Sequence, residues 1–322
     1  MDARDLVDEL AELLVVPSFI RTGYRLRRRL YRWPDVESYP MDGRTVVLTG
    51  PTSGLGREAA GSLARMGARL VLVGRDPERL ERTRDELLAG SPEAGIELVT
   101  ADMASLASVR DAAAGILAVA PRIDVVIDNA GTMLPNREVT AEGFERTFAT
   151  MVLGPFVLVS RLTPRLLESP DPRLVAVTSG GMYTQSLPLD DLPYERGAYS
   201  GPRAYARAKR AQVAMVREWA RRFRDDGLAA NAMHPGWADT PGLEASLPGF
   251  ARLVGDRLRT PAEGADTMLW LAAAPEARAG SGRLFLDRRP RPFDRLPSTR
   301  LSATDRTELW DRVVALTGEP DP

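Results

Sequence analysis

Two side chains and a run of glycines carry the chemistry this sequence offers. Tyr205 and Lys209 lie four residues apart in "YARAK", and Lys209 is the only lysine among 43 basic residues. Residues at that spacing share one helical face, so a phenol and an ammonium would be neighbours. A free tyrosine titrates near ~10 and is a poor base at neutral pH. A unit charge ~4 Å away at an effective dielectric of ~20 contributes ~4 kcal/mol, roughly three pKa units, which would bring a phenol into range for proton transfer. Arginine would carry the charge on a flat fork instead of a compact head. Taken alone, the pair leaves a second reading open, a stray lysine on a helix surface.

The glycine run is "TGPTSGLG", residues 49–56, directly after an apolar stretch. Gly50, Gly54 and Gly56 have the spacing G-x-x-x-G-x-G. Such a turn lets the backbone approach a pyrophosphate at a helix N-terminus, although a plain tight turn between strand and helix has the same composition. It is not a P-loop, which needs a lysine after its last glycine, and it departs from the dinucleotide pattern G-x-G-x-x-G. There is no cysteine and one histidine, His234. Thiolate catalysis, disulfides and cysteine metal sites are excluded, and a histidine metal cluster is disfavoured. A formal net charge of −1 gives no field to gather nucleic acid. No apolar run approaches the ~18 residues of a transmembrane helix, and the acidic start "MDARDLVDEL" is unlike a secretory signal. The expectation is a cytoplasmic protein with peripheral membrane contact left open.

These residues need elements to position them. "RTVVLT", "RLVLVG", "IELVTAD", "IDVVIDNAG", "RLVAVTS", "LAANAMHPG" and "GRLFLD" read as seven strands. Helical stretches separate them, including a long one from about 141 to 168 and another from about 202 to 224. Nearly continuous apolar strands alternating with helices imply a parallel sheet covered on both faces, an α/β Rossmann-like doubly wound fold. Residues 1–40 read as a helical extension, 41–290 as the catalytic domain, and 291–322 as a tail with one helix. Within the extension, "RTGYRLRRRLYRW" reads as a solvated basic helix anchored by Tyr24, Leu30 and Trp33. Attachment of residues 21–33 to an anionic membrane is the alternative.

The glycine spacing, "DNAG" at 128–131, Ser179, Tyr205-x-x-x-Lys209 and "HPGWADT" at 234–240 together resemble the short-chain dehydrogenase/reductases over roughly residues 41–290. "TSGGM", "MHPGWADTPG", "GDRLRT" and "GADTMLWLA" look like the branch containing dehydrogenase/reductase SDR family member 12. The resemblance implies that Tyr205 is the general acid/base, that Lys209 holds the nicotinamide ribose and lowers the tyrosine pKa, and that Ser179 bonds the reacting oxygen. It implies a cofactor cleft formed by Gly50, Ser53, Gly54, Leu55, Gly56, Arg75, Asp102, Met103, Asn129, Ala130, Gly131, Tyr205, Lys209, Pro235, Gly236 and Thr240, with no metal.

Arg75, after the second strand, favours NADP(H) over NAD(H), since an arginine there can grip a 2′-phosphate where an acidic residue would bind ribose hydroxyls. Asp76 reads as the cap of the next helix. The family's asparagine before the fifth strand is replaced by Met151 in "FATMVLGPF", so a cofactor-binding protein with weak or no turnover is the alternative to an active enzyme. His234 reads as structural. Trp237, Leu243, Leu247, Phe250 and Leu253 suggest an apolar lid and a hydrophobic alcohol or carbonyl substrate. A homo-oligomer is compatible with the sequence.

Overall fold

The structure, a computed structural model, describes residues 2–322. Its centre is one sheet in the order β3-β2-β1-β4-β5-β6-β7-β8. The strands are β1 (Thr45–Thr49), β2 (Arg69–Gly74), β3 (Ile96–Thr100), β4 (Val125–Asp128), β5 (Arg173–Val177), β6 (Ala229–Met233), β7 (Leu284–Leu286) and β8 (Arg289–Arg291). β1, β4, β5, β6 and β7 are buried throughout, which is why they read as apolar runs rather than as alternations. Seven strands are parallel; β8 is an eighth, antiparallel to β7. It escapes sequence reading because it is three residues long, charged, and centred on Pro290, which suits only an edge strand. The two-residue turn before it, Asp287 and Arg288, has φ of 54° and 53° without a glycine.

The helices are α1 (Ala3–Leu13), α2 (Val15–Phe19), α3 (Arg21–Tyr31), α4 (Gly54–Arg65), α5 (Pro77–Gly90), α6 (Leu106–Val119), α7 (Arg146–Phe148), α8 (Gly154–Leu167), α9 (Gly201–Arg222), α10 (Pro241–Ser246), α11 (Pro248–Val254), α12 (Pro261–Ala273) and α13 (Ala303–Thr317). One core lies on each face of the sheet. Trp219 and Trp310 mark one, and Leu63, Met268 and Trp270 the other. The long helix expected from residue 141 begins at Arg146, because Gly143 takes φ of 90° and Glu145 caps the helix by accepting from the N–H groups of Thr147 and Phe148. Between α7 and α8, residues 149–153 form a π-helical turn. The helix from 146 to 167 is long and apolar enough to cross a membrane, yet it is largely buried inside the protein.

The N-terminal helices are fastened to the domain by buried charge. Arg27, fully buried, bonds Asp8 (2.6 Å), Glu12 (2.7 Å) and Asp287 (2.7 Å). Arg259, also buried, bonds Asp287 and the carbonyls of Phe19 (2.9 Å) and Ser18 (2.9 Å). The basic segment is therefore not solvated throughout. Arg25, Arg28, Arg29 and Arg32 are exposed, whereas Arg27 and Tyr24 are in the interior.

Candidate active site

The sheet order reverses between β1 and β4, and the cleft at the carboxyl ends of these strands is where an open α/β sheet binds its ligand. The sequence-expected residues converge there. Gly50 (φ 67°) and Gly54 (φ 52°) turn the chain from β1 into α4. A Cβ on Gly56 would lie 2.1 Å from the Gly50 carbonyl and 2.5 Å from Asn129 Nδ2, so only glycine fits that crossing. Asn129 holds the turn from the side: its Nδ2 donates to the carbonyls of Thr49 (2.9 Å) and Gly50 (3.1 Å). Thr49 Oγ1 accepts from the N–H groups of Asn129 (3.0 Å) and Ala130 (2.9 Å), knitting β1 to β4. Ser53 is the exposed N-cap residue of α4, leaving the helix N-terminus free to receive an anion. Leu55 packs beside Gly264 of α12.

At the far end, Arg75 is exposed after β2 and has no ion-pair partner among the described residues. Asp76 accepts from the Arg79 N–H (3.1 Å) and caps α5. Asp102 accepts from Ala104 N–H (3.0 Å) and pairs with Arg146 (3.2 Å), a partner not foreseen from sequence. Met103 is buried with its carbonyl close against Gly154. On the other side, the 234–240 loop crosses the glycine turn. Thr240 lies 3.3 Å from where a Gly54 Cβ would be and caps α10 through Leu243 N–H (3.2 Å). Gly236 (φ 70°) is hemmed in by the Arg259 guanidinium and the Phe19 carbonyl, each 2.5 Å from a Cβ position. The Pro235 carbonyl accepts from Arg259 (3.1 Å). The glycine cradle, the free helix N-terminus and the unpaired Arg75 fit an elongated phosphate-bearing dinucleotide.

Ser179 lies two residues beyond β5, and α9 brings Tyr205 and Lys209 opposite it. Burial pushes the Tyr205 hydroxyl above its ordinary value, and hydrogen bonding to Ser179 pulls it back. Lys209 is buried. Its Nζ donates to the Val177 carbonyl (2.7 Å) and lies over the Tyr205 ring, 5.6 Å from the centroid. Burial outweighs the Ser179 hydrogen bond, so the phenol stays above its ordinary value. Gly131 keeps the space open, since a Cβ there would lie 3.5 Å from Lys209 Nζ and 3.3 Å from Met151 Sδ.

Two further polar groups stand behind the lysine. Asp128, at the end of β4, is buried and accepts from Gln212 Nε2 (2.7 Å), one turn beyond Lys209 on α9. Burial lifts its carboxyl to about 6, with Lys209 and Gln212 opposing the rise. Burial likewise lowers the Lys209 ammonium to about 8, with Asp128 supporting the charged form. Asp128 Oδ1 and Gln212 Oε1 have no hydrogen-bond partner among the described residues, and both residues line, with Met151, a cavity of about 30 Å³. Sequence reading missed both residues. Their signals are faint: an acid ending an apolar strand, and a lone amide on the buried face of a helix. His234 is fully buried beside Phe19 and Tyr183, and burial with the surrounding arginines lowers its pKa well below the ordinary value. It is a neutral ring in the interior. Phe19 is another unforeseen neighbour. Its ring stands where a Cβ on Gly180, next to Ser179, would be (2.6 Å), and against Trp237 (5.7 Å between centroids).

A doubly wound sheet, a glycine cradle at its reversal point and a Ser–Tyr–Lys group beside it define a dinucleotide-dependent oxidoreductase. Residues 44–248 match the model of the short chain dehydrogenase family, and the chain belongs to that family. It is 40% identical over 291 residues to dehydrogenase/reductase SDR family member 12 of Bos taurus, with 90% of each chain covered. It is 35% identical over 297 residues to human retinol dehydrogenase 14, covering 86% of this chain and 87% of the relative. A short chain dehydrogenase from Shigella flexneri, solved with NADP, superposes with a TM-score of 0.62 at 26% identity, covering 77% of this chain and 98% of the other. The protein is an oxidoreductase acting on CH–OH or C=O groups.

Proposed function

We propose that this chain is an NADP(H)-preferring reductase or dehydrogenase of hydrophobic alcohols and carbonyls. The observation that carries the reading is Ser179, Tyr205 and Lys209 beside a glycine cradle whose outer end holds the unpaired Arg75. The glycine turn and Asn129, Ala130 and Gly131 bind the pyrophosphate and the middle of the dinucleotide, Arg75 the 2′-phosphate, Asp102 and Met103 the adenine. Pro235, Gly236 and Thr240 close over the nicotinamide side. The bound nicotinamide supplies or accepts the hydride. Tyr205 exchanges the proton with the substrate oxygen. Ser179 orients that oxygen by hydrogen bonding. Lys209 holds the ribose and keeps positive charge close to the phenol, and Asp128, with Gln212, favours its ammonium form.

The hydrophobic substrate is supported by an aromatic row that starts at Phe19, beside Gly180, and runs through Trp237 (5.7 Å) to Phe250 (4.8 Å), and by the retinol dehydrogenase among the relatives. α10 and α11 bury no residue and form the lid. Residues 41–290 form the catalytic unit, with 1–40 clamped onto it through Arg27 and Arg259. A cytoplasmic location with peripheral membrane contact through residues 21–33 belongs to this reading. A second reading, cofactor binding with weak turnover, is favoured by Met151 at the place of the family asparagine. NADPH oxidation with a panel of lipophilic aldehydes and ketones separates the two. The enzyme reading expects turnover that Tyr205→Phe abolishes while NADPH still binds; tight NADPH binding with no carbonyl accepted would establish the second.

A further inference from the structure

The first helix is amphipathic in the inverted sense. Its acidic face points inward: Asp8 bonds Arg27 (2.6 Å) and Arg291 (2.8 Å), Glu12 bonds Arg27 (2.7 Å), and Asp5 bonds Arg289 (2.7 Å). Its apolar face, Leu6, Val7, Leu10 and Leu13, points outward and continues into residues 14–16, with Leu13 77% and Leu14 62% exposed. Of the ten large hydrophobic side chains exposed among the described residues, seven fall within residues 6–16. Scattered apolar residues need no explanation, but a contiguous patch marks a contact surface. The helix cannot roll to hide this face, because rolling would strip Asp8 and Glu12 from the buried Arg27 and Arg291 and break the half-buried Asp5–Arg289 pair.

The surroundings identify what covers the patch. α3 packs beside α1, with the Tyr31 hydroxyl donating to Asp5 (3.0 Å). It exposes Arg25, Arg28 and Arg29, of which Arg25 also reaches Glu263 (3.2 Å) and Arg28 Asp35 (3.8 Å); Arg32 follows it, exposed, and Trp33 stacks on Tyr31. Asp2, at the N-cap, and Glu9 are the exposed acids of the α1 segment, and Asp2 pairs with Arg4 (2.6 Å). An apolar stripe rimmed by arginines and aromatic rings matches the interface of an anionic bilayer, where the leucines enter the acyl boundary and the guanidinium groups meet lipid phosphates. A second copy docked face to face would instead bring two sets of exposed arginines together. We propose that the outer face of α1 and α2 lies in the surface of an anionic membrane, with α3 as its basic rim. This deepens the peripheral contact of the preceding reading by moving the anchor from residues 21–33 to residues 6–16. It also places the membrane next to the substrate entrance, because α2 ends at Phe19, whose carbonyl accepts from the Trp237 N–H (2.8 Å), and the lid exposes Leu253.

The test is flotation of the full chain with phosphatidylcholine vesicles, with and without about a quarter phosphatidylglycerol. Wild type floats with the anionic vesicles and more weakly with neutral ones, and added salt reduces the difference. A Leu10→Asp/Leu13→Asp variant, altered only at exposed positions, loses binding at least about tenfold. An Arg28→Glu/Arg29→Glu variant loses the preference for anionic vesicles. Both retain the wild-type melting curve and NADPH oxidation with a water-soluble carbonyl, so a failure of the membrane proposal is distinguishable from a failure of the oxidoreductase reading. Wild type left at the bottom of the gradient with anionic vesicles overturns the proposal. So does equal vesicle binding by the leucine variant, or a wild-type dimer that the leucine variant splits while neither protein floats.

Discussion

Replacing Asp128 by Asn isolates the electrostatics of Lys209. The amide keeps the size of the carboxylate and can still accept from Gln212, so what changes is one buried charge. In the wild type, burial lowers Lys209 to about 8 and Asp128 is the group that supports its ammonium form. A lysine carries charge below its pKa. Removing the carboxylate lowers that pKa further, so the ammonium is lost at lower pH. If the lost support is about one pKa unit, or about 1.4 kcal/mol, the charged fraction at pH 8 falls from about one half to about one tenth. kcat/KM for NADPH-dependent carbonyl reduction should then fall about fivefold at pH 8 and change little near pH 6, where Lys209 stays charged in both proteins. The assay is kcat/KM for one accepted carbonyl across about pH 6 to 9, with NADPH affinity and circular dichroism in parallel to detect unfolding. A uniform loss at every pH would mean that Asp128 serves packing. An alkaline limb that does not move would refute the coupling between Asp128 and Lys209.

Three other substitutions probe separate parts of the molecule. Arg75→Asp should cost about 10- to 100-fold in NADPH affinity, the value of a charge-assisted hydrogen bond of about 1.5–3 kcal/mol, and shift preference toward NADH; tighter NADH than NADPH binding by wild type would remove Arg75 from the site. Lys209→Arg keeps the charge but forces a wider head into the space between Val177 and Gly131, and should lower kcat/KM by about 10- to 1000-fold; wild-type turnover would make the lysine incidental. Arg27→Met should leave Asp8, Glu12 and Asp287 buried without their shared partner and destabilise by about 3–5 kcal/mol, read by thermal melting near neutral pH. Burial raises the Asp8 carboxyl, but Arg291 and Arg27 outweigh it and hold it below its usual range. Stability from such a depressed carboxylate is present above its unfolded pKa and lost as pH falls, so the gap between wild type and Arg27→Met should narrow in acid; a gap that widens in acid would refute the assignment.

The parts of the molecule legible in the sequence are those whose physics is local. Strands buried on both faces read as apolar runs, and Gly50, Gly54 and Gly56 announce a turn because no other residue fits its torsions and its contact with Asn129. Lys209 stood out because arginine occupies every other basic position. The unread parts depend on residues far apart in the chain. Asp128 looks like the end of a strand until Gln212 and Lys209, some 80 residues later, are folded against it. Phe19 looks like part of an extension until its ring reaches Gly180 beside Ser179.

The first helix shows the difficulty most plainly. Its leucines repeat at helical spacing, and such a stripe ordinarily marks the face turned toward the core. That inference holds when the polar face has only water to choose. Here the competing partners are Arg27 and, some 280 residues downstream, Arg289, Arg291 and Arg295, which offer Asp8 and Glu12 largely buried ion pairs and Asp5 a half-buried one. Arginines already committed to the interior would lose far more by standing there without carboxylates than the helix gains by hiding four exposed aliphatic side chains. The acids therefore decide which way the helix faces, and the leucines are left for a surface outside the protein. Periodicity gave the helix; its orientation was settled by charges at the opposite end of the chain.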